Sequence, residues 1–159
     1  MSNNPASSRP DILLIDDDPN FLEAVGELLK RVGHRTLSAR SGEEGLTLLG
    51  TEANSVELVL LDIRMPGMGG LQTLEQLVRF HPALPVIMLT GENSIDLVVQ
   101  AMKTGATNYI YKGSGANELL SAINAVVDQL NAGKEKAGDA SEYGIIGRSP
   151  DLQRVIGEA

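Results

Sequence analysis

The chain has 159 residues, is 42% hydrophobic and 21% charged, and carries a formal net charge of −8 with an isoelectric point near 4.7. That length supports one core of ordinary domain size plus tails, and the acidic balance argues against direct nucleic-acid binding by this segment, since phosphate contacts need clustered Lys and Arg. With no cysteine there is neither a disulfide framework nor a thiolate metal site, the polar residues 1–8 lack the apolar stretch of a signal peptide, and no run is long enough to cross a bilayer, so a cytoplasmic protein without membrane attachment is expected.

Ile12-Leu13-Leu14-Ile15 reads as a buried strand running into Asp16-Asp17-Asp18. Pro19 then sits where a helix start tolerates proline, with Asp18 as its N-cap, and Phe21, Leu22, Val25, Leu28, Leu29 and Val32 recur at helical spacing up to Gly33. A short extended piece over 35–39 leads to Ser41-Gly42-Glu43-Glu44, a capping box for a second helix bearing Leu46 and Leu49. The third strand, Val56-Glu57-Leu58-Val59-Leu60-Leu61, closes on Asp62 and gives way to Ile63-Arg64-Met65-Pro66-Gly67-Met68-Gly69-Gly70. Leu71, Leu74, Leu77 and Val78 mark a third helix that ends near His81-Pro82. Val86-Ile87-Met88-Leu89 is a fourth strand stopping at Thr90, and Ser94 caps a fourth helix carrying Ile95, Val98, Ala101 and Met102 up to Gly105. Tyr109-Ile110-Tyr111 stops at Lys112, and a fifth helix presents Leu119, Leu120, Ile123, Val126, Val127 and Leu130 as a broad stripe. His34 and His81 fall at element ends away from the carboxylates and are expected at the surface. Five such units predict an α/β fold, a doubly wound five-stranded parallel sheet with right-handed crossovers.

Two of these strands deliver acidic side chains to one edge of the sheet, the edge where such folds bind ligands. Carboxylates held a few Å apart repel, so they must protonate, spread into water or share a cation. With oxygen donors only, the fitting ion is Mg²⁺ or a similar hard cation, which keeps waters and leaves positions for phosphate oxygens. The Thr90 hydroxyl and the Lys112 ammonium end neighbouring strands, so the edge suits phosphoryl chemistry.

The ordered set Asp16-Asp17, Asp62, Met65-Pro66, Gly70, Thr90, Tyr109 and Lys112 resembles the receiver domain of two-component response regulators, over residues 11–130. The resemblance implies a flavodoxin-like (βα)5 fold and makes Asp62 the phosphoacceptor, attacking a phosphohistidine or a small acyl phosphate. It implies that Asp17, Asp62 and the backbone carbonyl of Arg64 ligate Mg²⁺, with Asp16 assisting through a water. Lys112 and Thr90 would bind the phosphoryl oxygens, and Tyr109 would swing inward as Thr90 moves toward the phosphate. It further implies a sensor histidine kinase as donor, a homodimer through the helix 4/helix 5 face, and a switch that catalyses only its own phosphorylation and dephosphorylation. Arg64 and Glu92, two residues after Asp62 and Thr90, are expected to form an ion-paired lid that slows loss of the phosphoryl group.

Two positions depart from the family pattern. Gly113 follows Lys112 where receivers usually carry a proline in a cis peptide; without proline a trans bond is expected, and glycine's freedom is expected to aim the loop. Gly69 stands where an acidic or amide residue is common, which predicts a flexible loop after Asp62. Competing readings are a pseudo-receiver that binds a partner without phosphate, and an aspartyl-phosphate hydrolase of the haloacid dehalogenase type, for which Asp16-x-Asp18 would be the motif. Beyond a tail over 1–10 and the receiver over 11–130, residues 131–142 read as a linker or an extension of helix five. Residues 143–159, from Tyr143-Gly144-Ile145-Ile146-Gly147-Arg148, resemble the opening of the AAA+ domain of σ54-dependent transcription activators. Their phosphate loop G-x-x-x-x-G-K-[ST] is absent from this chain, so the segment reads as a truncated fragment whose ATPase and DNA-binding domains lie beyond it.

Overall fold

The structure is a computed structural model and describes residues 9–52, 56–91 and 95–143, with side chains described except at 52 and 133–143. Strands and helices alternate along the chain: β1 Asp11–Ile15, α1 Pro19–Arg31, β2 Thr36–Ala39, α2 Gly42–Glu52, β3 Val56–Asp62, α3 Gly70–Phe80, β4 Val86–Thr90, α4 Ile95–Thr104, β5 Asn108–Tyr111 and α5 Ala116–Tyr143. All strand pairs are parallel, and the spatial order is β2-β1-β3-β4-β5. Chain order reverses on either side of β1, so the connections leaving the paired carboxyl ends of β1 and β3 run in opposite directions and leave a crevice, the place where open α/β sheets bind ligands.

The strand sequences explain their positions. Ile12, Leu13, Leu14 and Ile15 of β1, Leu58 to Leu61 of β3 and Val86 to Leu89 of β4 are all buried, as expected where helices cover both faces of a parallel sheet. Edge strand β5 alternates instead, with Tyr109 and Tyr111 46% and 48% exposed on the same side. Asp18 caps α1: its Oδ1 accepts from Asn20 N at 2.9 Å, and Pro19 follows in the first turn. The capping box at α2 forms with a shift, since Ser41 Oγ accepts from Glu44 N at 3.0 Å but Glu44 Oε1 reaches past Ser41 to Arg40 N at 2.8 Å.

His34 is not at the surface. It is 3% exposed, and its Nδ1 lies 2.9 Å from the Pro10 carbonyl oxygen, because the α1–β2 turn folds its ring inward beside the start of β1. His81 is half-buried at the end of α3, where its backbone N–H donates to Leu77 O at 2.7 Å. Residues 131–142 continue α5, which runs to Tyr143; residues 144–159, with the AAA+ resemblance, lie outside the described residues. The chain divides into two compact units, one through Ile123 and one from Asn124; in the first, Leu119, Ala122 and Ile123 are the buried residues of α5.

Gly70 is dictated by packing. A Cβ there would lie 2.6 Å from Ile63 Cα and 2.8 Å from Ile63 C, and closer still to Asp62 O. The start of α3 is thus pressed onto the backbone that presents Asp62. Gly70→Ala is expected to destabilise the protein by about 1–3 kcal/mol, because backbone cannot yield as a side-chain tip can; urea unfolding measures it, and a midpoint equal to wild type would refute the close approach.

Candidate functional site

The crevice at the carboxyl ends of β1 and β3 gathers Asp16, Asp17 and Asp62, whose nearest carboxylate oxygens all lie within 4.8 Å of one another. Each is placed by a strand end: Asp16 and Asp17 follow β1, and Asp62 closes β3. Asp16 is 1% and Asp62 4% exposed, while Asp17 is the most open of the three. Asp16 Oδ1 accepts from Asp18 N at 2.9 Å, so the turn into α1 fixes its orientation. Asp62 Oδ1 accepts from Arg64 N at 3.3 Å, which ties the carboxylate to the loop that follows it.

Lys112 enters from the end of β5. Its Nζ lies 2.5 Å from Asp16 Oδ2 and 3.6 Å from Asp62 Oδ2, so the ammonium leans on Asp16 rather than on the residue expected to take the phosphoryl group. Asp16 Oδ2 is buried and, apart from this ion pair, accepts no directed hydrogen bond among the described residues. Thr90, 4% exposed, ends β4 one residue beyond Leu89, the register partner of Asp62. Tyr109 pairs in register with Met88 and its ring faces outward. Glu92 lies outside the described residues, and with it the expected Arg64–Glu92 lid.

Burial, followed by the Asp16 charge, pushes the Asp62 carboxyl up from 3.8 to about 6; Lys112 and the Arg64 N–H pull it down, and Asp17 raises it again. Three carboxylates against one ammonium leave two uncompensated negative charges when all are ionised. The donors are all oxygens, they lie within 4.8 Å of one another, and the excess charge is that of a divalent ion. The residues therefore fit Mg²⁺.

At Gly113 the structure changes the expected reason. There is no cis peptide bond among the described residues, as anticipated, but Gly113 does not take a positive φ; Gly115 does, at φ 98°. Gly113 instead makes room for an aromatic ring, since a Cβ there would strike Tyr111, 2.9 Å from Cζ. Lys112 to Ser114 form a short 3-10 turn, and Gly115 then redirects the chain into α5. In the other loop the positive φ lies at Gly67, 73°, while Gly69 is extended at φ −72° and caps α3.

Residues 12–124 match the response regulator receiver domain. The chain belongs to that family. Among its relatives, the transcriptional regulatory protein GlrR of Escherichia coli K12 is 34% identical over 159 residues, 100% of this chain and 34% of GlrR. The transcriptional regulatory protein ZraR of the same strain is 31% identical over 150 residues, 93% of this chain and 34% of ZraR. The receiver thus spans about a third of the length of the curated relatives it matches. A crystal structure of a response regulator receiver domain from Clostridium thermocellum is 34% identical and superposes with a TM-score of 0.73, covering 77% of this chain and 98% of that one. The five-stranded, flavodoxin-like fold of this receiver agrees with it, and membership favours the receiver reading over the hydrolase.

The sequence places Phe21 only in the apolar stripe of α1. In the receiver its ring centroid lies 4.4 Å from Lys112 Nζ. The signal was its place three residues after the cap Asp18, in the first turn of a helix that starts at the acidic strand end.

Proposed function

We propose that this chain is a phosphorylation-controlled switch of a two-component system in which Asp62 accepts a phosphoryl group from a sensor histidine kinase. The observation that carries this reading is the Asp62 carboxylate, 3.6 Å from the Lys112 ammonium and within a three-carboxylate crevice. Asp62 Oδ attacks phosphorus, an O–P bond forms, and the bond from phosphorus to the donor's leaving atom breaks, the electron pair departing with the leaving group. Receivers bind Mg²⁺ at an acidic pocket; here Asp17, Asp62 and the Arg64 carbonyl would hold it, with Asp16 behind them. Bound there, the ion would offset charge on the transferring oxygens. Lys112 and Thr90 supply the ammonium and hydroxyl that bind those oxygens, and a phosphoryl group that draws Lys112 off Asp16 and Thr90 toward itself opens space for Tyr109 to turn inward.

The names of the relatives support a transcription regulator, which would act in the cytoplasm, and the Tyr143-Gly144-Ile145-Ile146-Gly147-Arg148 run supports a σ54-dependent activator downstream. The switch would work through the α4/α5 face of a homodimer, since Ile95, Val99 and Met102 of α4 and Tyr109 and Tyr111 of β5 are exposed large apolar residues. Among the described residues no helix is long and apolar enough to cross a membrane.

Intact-protein mass after incubation with Mg²⁺ and acetyl phosphate tests the central claim. One added phosphoryl group is expected on wild type and none on Asp62→Ala or after chelation. No adduct from either acetyl phosphate or a phosphorylated kinase would favour the pseudo-receiver. Given an adduct, alanine at both Arg64 and Glu92 is expected to shorten its lifetime, and an unchanged decay would remove the lid.

A further inference from the structure

Phe21 has no part in the chemistry above, yet its ring centroid lies 4.4 Å from Lys112 Nζ, within the range at which an aromatic face attracts an ammonium. The same ammonium is 2.5 Å from Asp16 Oδ2 and 3.6 Å from Asp62 Oδ2. Ring and carboxylates therefore share one cation. Phe21 and Lys112 also line a groove of about 310 Å³, together with Val25, Leu28, Ile110 and Leu119. A lysine stem is long and flexible, and this groove is open volume into which it can turn away from the crevice. The Lys112 side chain is 21% exposed, so it is mostly covered by its neighbours but keeps one open side.

We propose that Phe21 is a positioning residue for Lys112: its ring holds the ammonium at the mouth of the crevice, on Asp16 and Asp62, so that the cation is in place when a phosphoryl group arrives. A plain apolar residue in the first turn of α1 would serve packing equally well, but it presents no negative face to the ammonium. Loss of the ring leaves the carboxylates' pull on Lys112 intact and frees the side chain toward the groove. The kinetic consequence rests on the phosphoacceptor reading; the contact itself does not.

The test compares wild type, Phe21→Leu, Phe21→Trp, Lys112→Ala and the Phe21→Leu/Lys112→Ala double variant in the full chain. Phe21→Leu keeps apolar bulk and is expected to slow phosphorylation by acetyl phosphate about three- to tenfold, in keeping with a cation–π contact partly shielded from water. Its half-saturating Mg²⁺ concentration should not change. Phe21→Trp should keep the wild-type rate or exceed it, and in the Lys112→Ala background Phe21→Leu should add nothing. A second readout needs no phosphoryl transfer: the Lys112 ε-methylene protons should resonate upfield under the ring current in wild type and return to ordinary lysine positions in Phe21→Leu. Equal slowing with and without Lys112, or an ordinary ε-methylene resonance in wild type, would overturn the proposal. If wild type takes no phosphoryl group from any donor, the phosphoacceptor reading fails, and the ε-methylene resonance alone then supports or overturns the contact.

Discussion

Asp62→Asn is expected to raise the stability of the metal-free protein by about 2–3 kcal/mol near pH 7.5, although it removes the proposed phosphoacceptor. Asp62 is an acid whose folded value is raised from 3.8 to about 6, with burial the largest cause and the Asp16 charge the next. In the folded chain it binds its proton more tightly than in the unfolded chain, so stability is fully present below about pH 4 and falls as pH rises toward about 6. A pKa difference of one between folded and unfolded chains corresponds to about 1.4 kcal/mol, so a rise of this size costs the ionised protein about 3 kcal/mol. Asparagine keeps the shape and can still accept from Arg64 N, but carries no charge into the crevice; the lost attraction to Lys112 at 3.6 Å sets the net gain toward the lower end. Denaturant titrations in chelator at about pH 4.5 and about pH 7.5 measure it: the variant should show its full gain at the higher pH and roughly a third of it at the lower, which lies early in the window between the unfolded and folded Asp62 values. Mg²⁺ should stabilise wild type at the higher pH and affect Asp62→Asn far less. A variant no more stable than wild type in chelator would mean that the carboxylate cluster is not under electrostatic strain.

The same strain explains why so much of the site could be read from the chain. Apolar runs that stop on Asp16, Asp62, Thr90 and Lys112 are a local signal, because residues at or just beyond the carboxyl ends of parallel strands lie at the sheet edge that borders the crevice. Asp18 was legible for a similar reason, with proline beside it fixing a helix start. Contacts between elements far apart in sequence were not legible. That Lys112 leans on Asp16, with Phe21 against the same ammonium, depends on how β5 and the first turn of α1 meet, and no periodicity encodes that distance. His34 shows the same limit: its neighbours mark a turn, while its burial comes from the Pro10 carbonyl, 24 positions away. In the sequence Gly113 reads as a source of backbone freedom, because a lone glycine gives no hint of a ring two residues earlier needing the space.

Lys112→Ala should separate the two roles of the ammonium. In the metal-free protein it is the cation beside the buried Asp16 and Asp62, and its removal leaves Asp16, 1% exposed, without the ion pair on Oδ2. Stripping one partner from a buried pair destabilises by about 3–5 kcal/mol, and the 21% exposure of Lys112 places the expected loss near the bottom of that range. Mg²⁺ should recover much of this loss, because a divalent ion on the proposed ligands Asp17 and Asp62 would relieve the same repulsion from the other side of the cluster. Phosphorylation should not recover. In the proposed function the lysine would also meet a phosphoryl oxygen, a contact formed only as charge develops during transfer, and losing one such donor slows reaction by about 10²- to 10³-fold. Thermal unfolding with and without Mg²⁺, set against the phosphorylation rate at saturating Mg²⁺, distinguishes the roles: metal should restore the midpoint and leave the rate low. Restoration of both would make Lys112 a structural counterion and shift the burden of phosphoryl binding to Thr90.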